Sequence, residues 1–589
     1  MLKSLYDYAL AHDLVLPAGY VNKTVKAYIS LSSDLSYYGI VLGDKEPVSC
    51  PDVGSMAQAK DKSNVLIEKR SIVLPEKATV KSGFFLNALK SAGEFEPMAN
   101  VCVQALESPD ITSALNAELD RQKIKAGDRI SFMVDNQRIF EGENIKAWWK
   151  GFRQQYQKSN TDDMTLCLIT GEPTIPPATT SPIQGLQVVG GHGRGDSLIC
   201  FDKAAFGSYG FKQGANAPVS EEAFSGVKGA LDKLLSDAPI LAGMKFVHWF
   251  DKKLDDRDDP ILTCLELFGD DEDDEDEDEE QIPINENAER KRADKVVESV
   301  TSGEAVSNLD NTQYYIMMLT GVNGRVMIRR YEQGNYKNLR KNLTQWEDDL
   351  ALIHPGGTYR LKSRKLTARL IRLLKYQKSD SRVFDRLGKE LSGITPAVIN
   401  AIISGGPLPD AVASRALANI RSRMMASDPD DRTVPIPDPI ACQWLKVWLK
   451  RKRRSDKQED NLVEEYNVKN PTAYNCGALM AVYAAIQKAA MPDVNAGVIQ
   501  RYYNSACQTP ALVIGYLSKL SNYHLDKLNN DRLAGWYRKK LQEIYSAMGR
   551  EIPVTLTLEE QSYFALGYYQ MSADLFKKKD KDTNDKEDN

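Results

Sequence analysis

The sequence predicts an α+β protein, with a mixed α/β N-terminal half and a mainly α-helical C-terminal half that ends in a four- to five-helix bundle. Three observations predict it. Short apolar runs of strand length alternate with helical patterns up to about residue 335. Beyond that point only the helical period is left, broken by Pro/Gly-rich stretches at 355–357, 405–409 and 428–439. At 589 residues the chain also exceeds what one hydrophobic core organises, so roughly two to four domains are expected.

Residues 1–160 read as a mixed α/β domain. Leu2 to His12 carries apolar residues at Leu2, Leu5, Tyr6 and Ala9, the spacing of a short amphipathic helix. Val25 to Leu31 and Tyr37 to Leu42 read as strands around Ser32-Ser33-Asp34. Asn87 to Ala92, Met98 to Leu106 and Asn144 to Tyr156 read as helices, and Arg129 to Val134 with Gln137 to Phe140 as a hairpin across Asp135-Asn136. Residues 161–268 form a second α/β unit, with strands at Met164 to Ile169 and Leu198 to Phe201 and a helix from Ser220 to Leu235. Residues 269–310 read as an acidic disordered linker. Residues 311–460 begin with strands at Tyr314 to Leu319 and Gly324 to Tyr331, joined by a turn at Gly321 to Gly324, and continue as a basic helical region. Residues 461–575 carry the bundle: apolar positions recur through Leu479, Val482, Tyr483 and Ile486, then Leu512, Ile514, Leu517 and Leu520, then Trp536, Leu541, Ile544 and Tyr545, then Tyr563 to Tyr569. Residues 576–589 are polar apart from Phe576 and read as a disordered tail.

The composition, 42 % apolar, is that of a globular protein. The N-terminus lacks a basic segment followed by an unbroken apolar one, and no window holds the roughly 18 consecutive apolar residues of a membrane span. A soluble, cytoplasmic protein with no membrane partner is expected. The cysteines, at 50, 102, 167, 200, 264, 442, 476 and 507, form no CxxC pair. Cys167 and Cys200 flank a glycine-rich stretch and could approach, but two thiols alone do not close a zinc site, so reduced thiols and no metal are expected.

The net charge of −5 hides an uneven distribution. Asp270 to Glu280, DDEDDEDEDEE, is a run of acids whose self-repulsion keeps it solvated. Without it, 76 basic residues face 70 acidic ones, a balance of +6. The run reads as a solubilising loop, or more sharply as a polyanion competing with nucleic acid for a basic face. Three basic blocks lie between residues 320 and 455. Leu361 to Arg382 holds eight cations against Asp380, and Lys362, Lys365, Arg369 and Arg372 share one helical face while Leu366, Leu370, Leu373 and Leu374 occupy another. Like charges one turn apart repel, and a polyanion partner relieves that repulsion. Lys446 and the run Lys450-Arg451-Lys452-Arg453-Arg454 lie beside Trp444 and Trp448; Arg325, Arg329, Arg330, Lys337, Arg340 and Lys341 make the third block.

Catalytic patterns are missing. The loop Gly190 to Gly195, GGHGRG, precedes a predicted strand instead of following one and opening a helix, and no GxxxxGK[ST] occurs. It reads as a surface loop, with Arg194 as its one potential phosphate contact. The histidines, at 12, 192, 248, 354 and 524, form no metal-binding pair, His248 reads as a strand residue, and GxSxG is absent. No catalytic residue, cofactor or metal site is predicted. A metal-dependent nuclease or phosphoryl-transfer enzyme, and a basic scaffold for acidic partners, are the rival classes.

Cys167-Leu168-Ile169-Thr170-Gly171-Glu172, Pro182-Ile183-Gln184-Gly185, Ser197 to Phe201, Phe206-Gly207-Ser208-Tyr209-Gly210 and Gln213 to Ser220 resemble the best-matched block of the CRISPR-associated Csd (Dvulg subtype) family. Tyr314 to Leu319 with Gly324-Arg325-Val326 follow in the family's order. So do Tyr474, Gly477-Ala478-Leu479, Ala485-Ile486-Gln487 and Tyr502-Tyr503, and then Phe564-Ala565-Leu566-Gly567-Tyr568-Tyr569-Gln570. The chain departs from the family at Pro176 to Ser181, where an arginine and a histidine are usual, and at Gln184, which replaces a lysine.

The resemblance implies the large subunit of a subtype I-C CRISPR surveillance complex (Cascade). Its implied partners are a crRNA-containing assembly of repeated backbone subunits and a crRNA-processing subunit, double-stranded and displaced single-stranded DNA, and a separate helicase-nuclease. Guide pairing reads the target, and the subunit reads the flanking PAM. The N-terminal part would read the PAM and the C-terminal bundle would follow the displaced strand. The resemblance also implies that the bundle is made separately as a small subunit, here from an internal start near Val468 or Met480. Groove readout needs amide or cationic side chains on presented loops, which nominates Lys81 with Ser82, and Gln213 with Asn216.

Overall fold

The computed structural model describes residues 1–53, 61–155, 164–241, 243–254, 259–261, 282–283, 309, 311–356, 359–360, 369–370, 372–374, 386, 389–426, 434–458, 461–493, 497–549 and 551–577. Lys362, Lys365, the acidic run and residues 578–589 lie outside the described residues. The chain divides into two compact units, Met1–Ser236 with Gly321–Val326, and Asp237–Thr320 with Met327–Asn589. Residues 161–268 contribute to both units.

The first unit opens with α1 (Leu2–Ala11), then β1 (Tyr20–Lys23), β2 (Ala27–Leu31), β3 (Tyr38–Leu42), β4 (Val48–Pro51) and β5 (Glu68–Lys69). The short α2 (Arg70–Val73) leads to α3 (Val80–Gly93), α4 (Pro97–Glu107) and α5 (Pro109–Arg121), and then to β6 (Arg129–Val134), β7 (Gln137–Arg138) and α6 (Glu143–Gln154). The hairpin β8 (Thr165–Leu166) and β9 (Pro173–Thr174) and the helix α7 (Glu221–Ser236) close the unit. The main sheet has the order β3-β2-β6-β5, with β7 also on β6. β2 and β6 run parallel at its centre, Ala27 opposite Ile130 and Leu31 opposite Val134. Ala27, Tyr28, Ile29 and Leu31 are all buried, as a strand covered on both faces requires. Asp135 and Asn136 have φ of 48° and 65°, the left-handed pair that a two-residue hairpin turn needs, as the sequence predicted.

Two strand expectations fail. Met164 to Ile169 yields only the two residues of β8, and Leu198 to Phe201 forms no strand. The Ile199 carbonyl accepts from the Thr180 hydroxyl at 3.0 Å, so its polar group is satisfied by a loop rather than by a ladder.

The second unit begins with β10 (Ile240–Leu241), β11 (Met244–Phe250), β12 (Gln313–Val322) and β13 (Arg325–Asn335), in that order across one sheet. From there it is helical: α8 (Tyr336–Leu350), α9 (Ile394–Ser404), α10 (Asp410–Met425) and α11 (Pro439–Ser455). The terminal bundle is α12 (Thr472–Ala490), α13 (Val498–Gln508), α14 (Pro510–Asp526), α15 (Asp531–Met548) and α16 (Leu558–Phe576). α12 is its axis, buried from Ala473 to Ala484. It packs backbone to backbone on α16 because Gly477 and Gly567 lack side chains where each helix meets the other's carbonyls, at Phe564 and Tyr474. Tyr474 Oη donates to Gln570 Oε1 at 2.6 Å, and Gln570 Nε2 donates to the Val463 and Glu464 carbonyls at 2.9 and 2.8 Å. The two C-terminal sequence blocks are thus the two sides of one helix contact. Met480 is buried in the middle of α12, so a chain begun there would lose Tyr474 and Gly477, whereas one begun near Val468 keeps the helix whole.

Candidate nucleic-acid interface

The densest basic run does not face solvent as a block. α11 starts at the cap Asp438, whose carboxylate accepts from Ala441 N–H at 2.9 Å, and then buries one apolar turn after another through Leu449. Its C-terminal cations inherit that packing. Arg451 is fully buried against the equally buried Asp349, Nε to Oδ2 at 3.2 Å, and it also donates to the Ala401 and Gly406 carbonyls. Burial lowers its pKa and Asp349 acts in the opposite sense. Arg454 closes on the same carboxylate at 2.9 Å. Lys452 pairs with Glu559 at 3.1 Å and lies over the Trp448 ring, Lys450 donates to the Leu462 carbonyl at 3.1 Å, and Arg453 lies over Tyr563.

Arg369 is likewise interior, 2 % exposed, with Nη1 donating to Gln443 Oε1 at 2.6 Å. Trp444 Nε1 donates to its carbonyl at 2.8 Å, while Leu370, Leu373 and Leu374 are buried beside it. Arg369 and Arg451 were expected to touch DNA; their guanidinium groups are instead enclosed in the fold. Buried acceptors hold both side chains: the Asp349 carboxylate offsets the charge of Arg451, and the neutral Gln443 amide oxygen takes a hydrogen bond from Arg369. Arg372 is partly exposed and directed at Asp438, 3.9 Å away, which Arg423 approaches to 2.8 Å.

The first-unit candidates divide in a similar way. The Ser82 hydroxyl is spent in a capping box with Thr79 at the start of α3, whereas Lys81 in the same turn has no partner among the described residues. Asn216 Nδ2 donates to the Gln213 carbonyl at 3.1 Å, which leaves the Gln213 side chain as the group presented. Gln213 ends a stretch, 202–213, that is exposed throughout and carries Phe206, Tyr209 and Phe211. Gln213 and Asn216 share one short turn; Lys81 stands on a different element.

In the glycine loop, His192 N–H donates to both oxygens of the fully buried Asp196, at 3.2 and 3.1 Å. Gly191 N–H goes to Leu186, and Gly195 N–H to His192. The Asp196 carboxylate takes the His192 N–H that a phosphate cradle would use, and the Arg194 side chain is exposed beside it. His248 is a strand residue, as expected, and Nε2 meets Asp259 Oδ2 at 2.6 Å.

The face missed in the sequence is on α14. Its inward side is Val513, Ile514, Leu517, Ser521, His524 and Leu525. Its outward side is Leu512, Tyr516, Lys519, Tyr523 and Lys527, with Leu512 74 %, Tyr516 53 % and Tyr523 56 % exposed. Lys527 Nζ lies 4.5 Å from the Tyr523 ring centroid, and the Tyr516 ring is tilted at 48° against Tyr502, with centroids 5.6 Å apart. On α15 the outward side carries Arg532, Trp536 and Lys539, so Leu512 and Trp536 are surface residues and not the core positions the period suggested. The signal was present as spacing: 512, 516, 519, 523 and 527 fall on one helical face. Aromatic rings alternating with cations suit a single nucleic-acid strand, whose bases stack and whose phosphates need counter-charge.

A family model described as a CRISPR-associated protein, Cas_Csd1, matches residues 2–576. The chain belongs to this family. No curated protein matches it. For a Cas_Csd1 protein the sequence blocks acquire structural roles: Gly477 and Phe564 to Gln570 form the α12–α16 contact, and Cys167 to Glu172 folds beside the start of α7. There Cys167 Sγ accepts from Ser220 N–H at 3.4 Å. Burial raises that thiol, but hydrogen bonds from the Thr170 hydroxyl and from backbone around Ser220, Thr170 and Ile169 outweigh it and bring it down to about 7. Cys167 and Cys200 are both free thiols, the first buried and the second exposed. Among the described residues no His/Cys/Asp/Glu group is arranged to hold a metal, and no helix is long and apolar enough to cross a membrane.

Proposed function

We propose that this CRISPR-associated protein is the non-catalytic large subunit of a type I-C complex, which recognises the PAM on duplex DNA and stabilises the crRNA-guided R-loop. The observation that carries the reading is the outward row Tyr516, Lys519, Tyr523 and Lys527 on α14, a track of stacking rings and cations of the kind a displaced strand requires. Guide pairing supplies sequence recognition, so the protein itself needs to discriminate only a few base pairs. Lys81 and Gln213 are the side chains assigned to that readout; the exposed Tyr209 and Phe211, close to Gln213 in sequence, would press on the duplex. Its partners are the crRNA, the repeated backbone subunits, the crRNA-processing subunit and a separate helicase-nuclease. An internal start near Val468 would supply the bundle as a small subunit.

The test is co-expression with a crRNA and the other subunits, followed by gel shift on duplexes that differ only in the PAM. Tight binding to one PAM and weak binding to the rest is expected, and equal shifts on all of them would remove the recognition claim. Degradation of DNA by the purified chain with magnesium would replace this reading with the nuclease one.

A further inference from the structure

β3 ends the main sheet of the first unit. Its register to β2 places Tyr38 opposite Leu31, Ile40 opposite Ile29 and Leu42 opposite Ala27. The bonds at either end of this ladder, Ser32 N–H to the Tyr37 carbonyl and Gly43 N–H to the Lys26 carbonyl, both at 3.0 Å, fix which residues exchange hydrogen bonds with β2. In an antiparallel pair those residues alternate with ones whose backbone groups point away. Tyr37, Gly39, Val41 and Gly43 therefore turn inward, and Tyr38, Ile40 and Leu42 present their N–H and C=O groups to the open side. None of these outward groups has a hydrogen-bond partner among the described residues.

This edge lacks the usual protection. From Ser36 to Gly43 the sequence is SYYGIVLG, without a charge or a proline, the features that normally blunt an exposed strand. Tyr37, Tyr38, Val41 and Leu42 are 40 to 60 % exposed, while Ile40 packs on the core and holds the strand in place. The chemistry of the edge selects its cover. Alternating donors and acceptors at two-residue spacing match another strand. A nucleic-acid backbone offers only acceptors, which would meet the outward carbonyls, and Ser36 to Gly43 holds no cation to attract it. A second copy paired antiparallel about Ile40 would set Asp34 toward Glu46 at each end of the seam, like charges that oppose self-pairing. Strand addition, by contrast, binds extended segments of this length.

We propose that β3 is a docking edge, to which an extended apolar segment of another protein subunit adds as a further strand of the sheet. This rests on the reading that the chain works inside a multi-subunit assembly, but not on PAM recognition. Residue-resolved hydrogen exchange tests it, on the purified full chain and on the complex co-expressed with a crRNA and the other subunits. In the chain alone the amides of Tyr38, Ile40 and Leu42 should exchange freely, and in the complex they should slow by about 100-fold or more. The amides of Gly39, Val41 and Gly43 should be protected in both. Equal rates for the outward amides in both samples would overturn the proposal. So would protection in the chain alone that grows with a dimer mass, or protection in the complex that nuclease digestion removes.

A second arm uses Tyr38→Lys with Leu42→Lys, both at exposed positions. Incorporation of this variant into the complex should fall by about tenfold or more with the melting temperature of the chain unchanged; undiminished incorporation would overturn the proposal. Gel shift on PAM variants separates the two ideas. PAM discrimination with an unprotected edge removes only the docking proposal, and a protected edge without PAM discrimination removes only the recognition reading.

Discussion

The C-terminal end of α11 and the outward face of α14 are the two parts of the second unit that a reader of charge would rank in opposite order. α11 carries five consecutive cations, Lys450 to Arg454, and α14 carries two on its exposed face, Lys519 and Lys527. Yet the α11 cations are occupied by Asp349, Glu559, the Leu462 carbonyl and the Trp448 and Tyr563 rings. The α14 cations project beside exposed tyrosines. What counts for a polyanion partner is charge still hydrated in the folded chain, since only that can be exchanged for phosphate contact. Local charge density does not measure it.

The largest effect separates the two regions through stability. Arg451→Ala leaves Asp349 with Arg454 and the Gln345 amide, and strips the Ala401 and Gly406 carbonyls of a donor. It should cost about 3–5 kcal/mol in urea denaturation. Single-strand affinity of the folded protein should be unaltered. A variant that folds normally and loses DNA binding would invert the comparison. Next in size, Tyr516→Ala and Tyr523→Ala should each weaken single-strand binding by about 1–3 kcal/mol, read by fluorescence anisotropy. Both side chains are more than half exposed, so stability should move by no more than about 0.5 kcal/mol. Smaller again, Lys519→Ala should lower the slope of log affinity against log salt by about 0.7, the share of one phosphate contact on a single strand. An unchanged slope would mean that the cation touches no phosphate.

The fold was legible where one local signal decides. The left-handed pair Asp135-Asn136 and the turn at Asn323-Gly324, with φ of 51° and 76°, follow from residue type alone. The helical period gave the order of the C-terminal helices. The two failures of the site reading come from contacts remote in sequence. Spacing placed Arg369 on a basic face, but whether that face is covered depends on Gln443 and Trp444, more than seventy residues away. Leu512 and Trp536 look like core residues in a linear scan, and only the docking of α14 and α15 on α12 shows that Val513, Leu517, Tyr537 and Leu541 hold the inward positions. In the glycine loop nothing local announced that Asp196 would take up the His192 N–H.

Cys167 extends the comparison to a polar group that is both enclosed and ionisable. Its thiol is brought down to about 7, while an unfolded cysteine titrates near 8.5. The native state therefore releases its proton first, and the hydrogen bonds to the thiolate add stability as pH rises from about 7. That contribution is complete above the unfolded value and is lost as pH falls through the folded one. Wild-type stability should thus climb between about pH 7 and 8.5 relative to Cys167→Ala, in urea denaturation at matched ionic strength. Parallel curves for the two proteins would show that the thiol is not held as a thiolate. The enclosed polar atoms of the family block would then be structural in the same passive sense as the cations of α11.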